Sequence, residues 1–322
     1  MPCTEIRKLN YDPSYENDLV SVIITTYKRP DNLKRAIESV LKQTYRNIEI
    51  IVVDDNNPDD EFSAETQRIM ASYQENPKIK YIRHDKNRNG SAARNTGVLN
   101  SRGEFLCMLD DDDEYLPEKI ERQVRLIKKL DDTWGGCYCY YKKIKNNKVY
   151  NRATEKKEGY IWFEELCRNI WHGGSSGPMI RRSVFIDVGG FNESFLRNQD
   201  IEYMLKISKK YKIAVCKYYG FLGYKDSFRE KQATYEEVKN NFLNTFSDVV
   251  NSLSNSQLVV LKKHIALQGF RYYLLVEKNL KQAVQELKQG KVGLLTAIRY
   301  VFHLFARLIL KKSYGFKIMI RK

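Results

Sequence analysis

The first 130 residues predict an α/β fold: a mostly parallel sheet with helices on both faces and a ligand site at the carboxyl ends of its strands. Short apolar runs rich in β-branched residues, Leu19 to Thr25, Ile48 to Val53, Ile79 to Ile82 and Phe105 to Leu109, lack polar alternation, as strands buried on both faces do. Helically spaced stretches separate these runs, and strand-helix alternation of this kind gives a right-handed, doubly wound sheet. Two of the runs end in acids, Asp54-Asp55 and Asp110 to Asp113, where open α/β sheets bind ligands.

Element by element, Leu19 to Thr25 reads as a central strand. Pro30 and Asp31 then open a helix that recurs with Leu33, Ile37, Val40 and Leu41 on one face. After the second strand, Asn56, Asn57 and Pro58 make a turn, and Ser63 to Tyr73 is the next predicted helix. Asn89, Gly90 and Ser91 precede a small-residue helix. Glycine there either starts the helix or lets backbone approach a ligand. The fourth strand delivers Asp110 to Asp113 into a turn before the helix Leu116 to Leu130, with Pro117 in its first turn. Hard oxygen donors packed this tightly suit Mg²⁺ or Mn²⁺ beside a phosphate-bearing substrate, whereas an isolated acidic run would be a solvated turn.

The 322 residues suffice for one large domain and a smaller one. The chain has six cysteines, none at metal-ligand spacing, and its polar start carries no secretory apolar region, so a cytoplasmic chain with reduced thiols is expected. Net charge is +15, and residues 291 to 322 contribute eight Lys or Arg and no acid. This concentration argues against a nucleic-acid-binding protein, which would spread its basic residues over a binding face.

The segments VSVIITTYKRPDNLKRAIESVLKQTYRNIEIIVVDDNN and NGSAARNTGVLNSRGEFLCMLDDDDEYLPEKI resemble the N-terminal half of family 2 glycosyltransferases, inverting enzymes of GT-A fold. The resemblance covers residues 19 to 130 and extends more loosely to about 225. It implies that Thr25, Thr26 and Tyr27 contact the nucleobase and that Asp55 binds it. Asn89, Gly90 and Arg94 would lie beside the nucleotide. The family's D-x-D motif falls on Asp110 and Asp112, placing Asp110 toward the ribose and Asp112 on the metal. Asp111 departs from the small, uncharged residue usual between them and leaves the register open by one position. The implied ligands are a nucleotide sugar, UDP-linked by expectation, and Mn²⁺ or Mg²⁺.

Beyond residue 130, Gly135 to Tyr141 and Lys148 to Arg152 read as an antiparallel pair flanking the turn Lys142 to Asn147. The resemblance assigns residues 131 to 225 to the acceptor half. Trp162, Phe163 and Trp171 are either sugar-stacking or core aromatics, and Trp171, His172 and Gly173 are acceptor-site candidates. The segment GGFNE, Gly189 to Glu193, stands where the family has a turn preceding its catalytic base; Asp200 matches that base, with Gln199 in place of the common Glu. On spacing alone Asp200 could instead cap the helix that follows, and Glu202 is the second candidate for the base and an acceptor contact. Lys225, Arg229 and Lys231 could neutralise a departing diphosphate.

Residues 226 to 290 read as a helical accessory region and 291 to 322 as a basic amphipathic tail, with 1 to 18 as an N-terminal extension. From Val292 to Leu310, Arg299, His303, Arg307 and Lys311 recur every fourth position opposite Leu294, Leu295, Ile298, Val301, Phe302, Phe305 and Leu308. Spanning a bilayer would cost ~2.5 to 3.5 kcal/mol for each charge near its centre, so the expectation is a helix lying flat on an anionic membrane surface. A subunit contact in a homo-oligomer is the alternative. The whole predicts a metal-dependent glycosyltransferase at the inner face of the cell membrane, acting on a glycan or lipid-linked glycan in cell-surface polysaccharide synthesis, such as capsule or lipopolysaccharide. A sugar-phosphate nucleotidyltransferase would share the sheet and acid-bound metal, but no glycine-rich basic loop follows the first strand.

Overall fold

A computed structural model describes residues 15–224 and 234–318 and divides the chain into two compact units, one of residues 1–162 and 172–230, the other of 163–171 and 231–322. In the first, β1 (Glu16–Thr26) lies between β2 (Ile48–Asp54) and β4 (Gly103–Asp110), and β3 (Ile79–Arg83) flanks β2, all parallel. Their apolar residues are buried almost throughout; Val20, Val22, Ile23, Ile24, Val52 and Val53 are fully inaccessible. Continuous apolar runs are required because helices cover both faces of this sheet. The helix Pro30–Leu41 begins on its proline and buries Leu33, Ala36, Ile37 and Val40.

From β1 the chain winds outward through β2 and β3, then crosses back through the helix Gly90–Leu99 to β4 on the other side of β1. Strand order therefore reverses between β1 and β4, and the crevice for a ligand opens at the carboxyl ends of these two strands. Register places Thr25 opposite Asp110. Beyond β4 the sheet turns mixed: β8 (Pro178–Arg181) runs antiparallel to β4 and to β6 (Trp134–Lys145), which pairs with β7 (Lys148–Ala153) as the sequence predicts. β9 spans Lys212–Tyr224, and Asp113–Tyr115, expected within a turn, forms a short β5 antiparallel to it. Cross-strand pairing, invisible in a three-residue segment, makes that strand.

In the second unit, Asn255–Leu275 packs on Leu280–Gln289 closely enough that a Cβ on Gly269 would sit 2.3 Å from the Glu286 carboxylate, and one on Gly290 2.2 Å from Ala266. Leu267, Phe270, Ala283 and Tyr300 form its core with Phe316 and Ile318. Residues 163–171 belong here, tied by Gln268 donating to the Cys167 carbonyl at 2.7 Å and by the amide of Asn169 donating to Phe316 O at 3.0 Å. The accessory helices and the tail helix, Leu294–Ile309, share one core. The orientation of that helix was not legible in the sequence. Its polar stripe turns inward, with Arg299 over the Phe316 ring, His303 between Tyr314 and Phe316, and Arg307 4.6 Å over Trp171; of the expected apolar stripe, Val301 packs on the core while the rest faces out.

Candidate active site

The fold divides the acidic run into two environments. Asp110 closes β4, Asp113 opens β5, and Asp111 and Asp112 form the turn between them. One carboxylate oxygen from each of Asp110, Asp112 and Asp113 lies within 4.8 Å of the others. Asp111 is turned away and buried, 1% exposed, toward the end of β1, where its carboxylate accepts from the Tyr27 backbone N–H at 3.4 Å and pairs with Arg29 Nε at 3.3 Å. Burial, offset in part by Arg29, pushes Asp111 up to about 7. Burial and the neighbouring Asp110 and Asp112 raise Asp113 well above the usual carboxylate range. Crowded oxygens whose charges oppose one another fit a small divalent cation. The structure thus adds Asp113 to the expected pair; the sequence signal was only its place as the fourth Asp of the run. A Cβ on Gly223, opposite it on β9, would already lie 3.3 Å from Asp113.

Arg29 is a site residue that sequence reading missed. Its Nη1 lies 2.8 Å from Asp112 Oδ2, so one guanidinium balances both central acids of the run. Nearby, Arg35 donates to the Asp112 carbonyl at 3.3 Å and stacks 3.9 Å over Tyr224. Ser176 Oγ accepts from the Asp110 N–H at 3.2 Å.

Among the expected nucleotide contacts, Thr25, Thr26 and Tyr27 end β1 beside the acidic turn; Thr26 is buried while Thr25 and Tyr27 are half-buried. Asp55 is 2% exposed and already engaged: His84 Nδ1 lies 2.7 Å from Oδ1, which also accepts from the Arg88 N–H, while Oδ2 accepts from Asn87. Asp55 therefore braces the loop that leads into the next helix. At that helix Asn89, with φ of 76°, caps the first turn by accepting from the N–H groups of Ser91 and Ala92. Its amide donates to the Glu193 carbonyl at 2.9 Å. Gly90 begins the helix and also permits close approach, since a Cβ there would lie 3.0 Å from both Arg94 Nη1 and Gln199 Oε1. Arg94 joins the two ends of the site, donating to Asp110 at 2.6 Å and to Gln199 at 2.8 Å.

Asp200 follows Gln199 in the first turn of the helix Gln199–Lys210, but Asn198 holds the cap position. Its carboxylate has no hydrogen-bond partner among the described residues and faces Gly174, where a Cβ would lie 3.5 Å from Oδ2. Asp200 lines a small, mainly apolar recess with Leu106, Met108, Phe191 and Tyr203. By contrast, Glu202 is 2% exposed, pairs with Lys206 at 3.0 Å, and burial raises its pKa. Asp200 is the carboxylate of this helix that is presented to the recess. His172 is buried, and Gly173 needs its φ of 94°, because a Cβ would strike the Phe221 ring at 2.8 Å. Trp171 belongs to the other unit, under Arg307. Lys225, Arg229 and Lys231 lie outside the described residues.

The sequence profile of Glycosyl transferase family 2 matches residues 21–189, more than half the chain. The chain belongs to that family. An uncharacterized glycosyltransferase of Rickettsia felis is 35% identical over 196 residues, covering 59% of this chain but 31% of its own length, so the match spans about a third of that relative. The Escherichia coli UDP-Glc:alpha-D-GlcNAc-diphosphoundecaprenol beta-1,3-glucosyltransferase WfgD is 26% identical over 275 residues, 85% of this chain and 98% of WfgD. Among solved structures, S. aureus TarS 1-349 in complex with UDP-GlcNAc aligns with TM-score 0.62 at 18% identity over 90% of this chain and 83% of that one. The mannosyltransferase PcManGT from Pyrobaculum calidifontis in complex with GDP-Man and Mn²⁺ aligns with TM-score 0.52 at 16% identity, over 96% and 89%. These likenesses show the GT-A fold.

Proposed function

We propose that this family 2 glycosyltransferase moves a sugar, with inversion, from a UDP-linked donor to a hydroxyl of a glycan or lipid-linked glycan, in cell-surface polysaccharide synthesis at the inner face of the membrane. The carrying observation is the Asp200 carboxylate, without a hydrogen-bond partner among the described residues, one position from the Gln199–Arg94–Asp110 chain that leads to the acidic cluster. Thr25, Thr26 and Tyr27 border the crevice where the base would lie, and the Tyr27 ring offers a stacking surface. The WfgD reaction suggests the acceptor class, and the TarS complex suggests the UDP-sugar class.

Asp200 accepts the proton of the acceptor hydroxyl as that oxygen attacks the anomeric carbon from the face opposite the diphosphate. The bond from that carbon to the diphosphate oxygen breaks, and its electron pair leaves with the nucleotide. Asp110, Asp112 and Asp113 would hold Mn²⁺ or Mg²⁺, which when bound supplies positive charge to the leaving diphosphate. Arg94 orients Asp110, and Asp111 with Arg29 fixes the turn from beneath.

The test is to incubate the purified chain with a panel of nucleotide sugars, Mn²⁺ and a GlcNAc-diphospho-lipid acceptor, and to assign the product anomer by NMR. Transfer from a UDP-sugar with inverted configuration is expected. A retained configuration, or pyrophosphate release without transfer, overturns the reading.

A further inference from the structure

The helix Leu294–Ile309 leaves a row of large apolar side chains exposed. Leu294, Ile298, Phe302, Phe305, Leu308 and Ile309 are all exposed, Leu294 at 77% and Phe302 at 69%. With 100° between successive residues they fall in one stripe along the helix. Single exposed apolar residues are ordinary on a protein surface, but a continuous row of Leu, Ile and Phe over four turns is not. A helix needs one apolar face for its own core, and here Ala297, Tyr300, Val301 and Leu304 supply it, so the exposed row is a further apolar face that this core does not use.

Charge identifies what covers this face. No Asp or Glu follows Glu286, whereas Lys288, Lys291, Arg299, Arg307, Lys311, Lys312 and Lys317 all do. Lys291 lies exposed before the helix, and Lys311 and Lys312 lie exposed after it, so cations sit at both ends of the apolar stripe. A second copy of the chain packing through a twofold contact would bring two such basic segments together. Among the described residues no helix is long and apolar enough to cross a membrane. A helix lying in the plane of an anionic bilayer satisfies both halves of the pattern: apolar side chains enter the acyl boundary, and lysines reach the headgroups.

We propose that the exposed face of Leu294–Ile309 is a membrane-docking surface, inserting Phe302 and Phe305 into the interface of an anionic bilayer. Arg299 and Arg307, turned onto Phe316 and Trp171, serve to hold the helix with its apolar face outward. The inference rests on this unit alone and does not depend on glycosyl transfer.

The experiment is co-sedimentation of the full chain with phosphatidylcholine vesicles, with and without phosphatidylglycerol. Binding to the anionic vesicles is expected. Phe302→Ser with Phe305→Ser should reduce partitioning about 100-fold, about tenfold for each partly buried ring. Their melting temperature should hold, since both side chains are already exposed in the folded chain. Lys311→Gln with Lys312→Gln should reduce it about 30-fold on anionic vesicles. Failure of the unaltered chain to bind phosphatidylglycerol vesicles overturns the proposal, as does undiminished binding by the Phe pair variant. A dimer seen by light scattering, split by the Phe substitutions in a chain that ignores vesicles, assigns the face to a second copy instead.

Discussion

Replacing Asp112 by Asn separates the electrostatics of the acidic cluster from its ligand chemistry. Asp110, Asp112 and Asp113 have oxygens within 4.8 Å of one another, so at an effective dielectric of ~20 each like-charge pair costs at least ~3.5 kcal/mol when ionised. With Asp113 held well above the usual carboxylate range, the pair that Asp112→Asn relieves is Asp110–Asp112, ~3.5 kcal/mol. The substitution also removes the Arg29 pair at 2.8 Å, ~6 kcal/mol on the same scale. The lost attraction exceeds the relief by ~2.5 kcal/mol, so the melting temperature without metal should fall by roughly 5–10 °C. The metal response is a separate test. A cation at 100 times its Kd stabilises by ~2.7 kcal/mol, which for a domain of this size raises the melting temperature by roughly 5–10 °C. The assay is a pair of thermal scans, with and without Mn²⁺ and UDP-sugar. The unaltered chain should shift and Asp112→Asn should not. An equal Mn²⁺ shift in the folded variant would refute the assignment of the cluster to metal.

Asp200→Asn should leave donor affinity, measured by calorimetry, close to unchanged and lower turnover by at least ~100-fold, the low end for a positioned base; activity that survives this change but not Glu202→Gln would move the role to the buried carboxylate. Arg94→Met removes two hydrogen bonds to the site, each on the order of 1.5–3 kcal/mol where charge is involved, and should lower both stability to denaturant and donor affinity, whereas an unaltered denaturation midpoint would mean the bridge between Asp110 and Gln199 carries nothing. His303 is pushed down to about 4 from its ordinary 6.5, by burial first and by Arg307 second. Below pH 6.5 the unfolded chain therefore binds a proton that the folded one refuses, and stability should fall from pH 6.5 toward 4. Comparing melts of the unaltered chain and His303→Gln at pH 7 and 5 checks this, since the variant should lose less; equal losses would show that His303 is not the group responsible.

The sequence alone determined the parallel half of the sheet and pointed to the edge of it where the candidate site lies. Runs such as IEIIVV and FLCML can be satisfied only where both faces are covered, and acids at the ends of two of them mark the edge that binds. The Asp200 assignment rested on resemblance, since spacing alone favoured an N-cap. Tertiary structure decided what one-dimensional pattern cannot express. Four adjacent aspartates look alike in sequence, yet pairing of β5 with β9 sends Asp113 to the cluster while Asp111 turns under β1 to Tyr27 and Arg29. Arg29 itself carries no periodic signal, because its partners lie more than eighty positions away. For the tail the pattern gave an amphipathic helix but not which stripe faces in. Periodicity records that two faces differ, whereas the facing surface, here Phe316, Tyr314 and Trp171, selects the one that is buried.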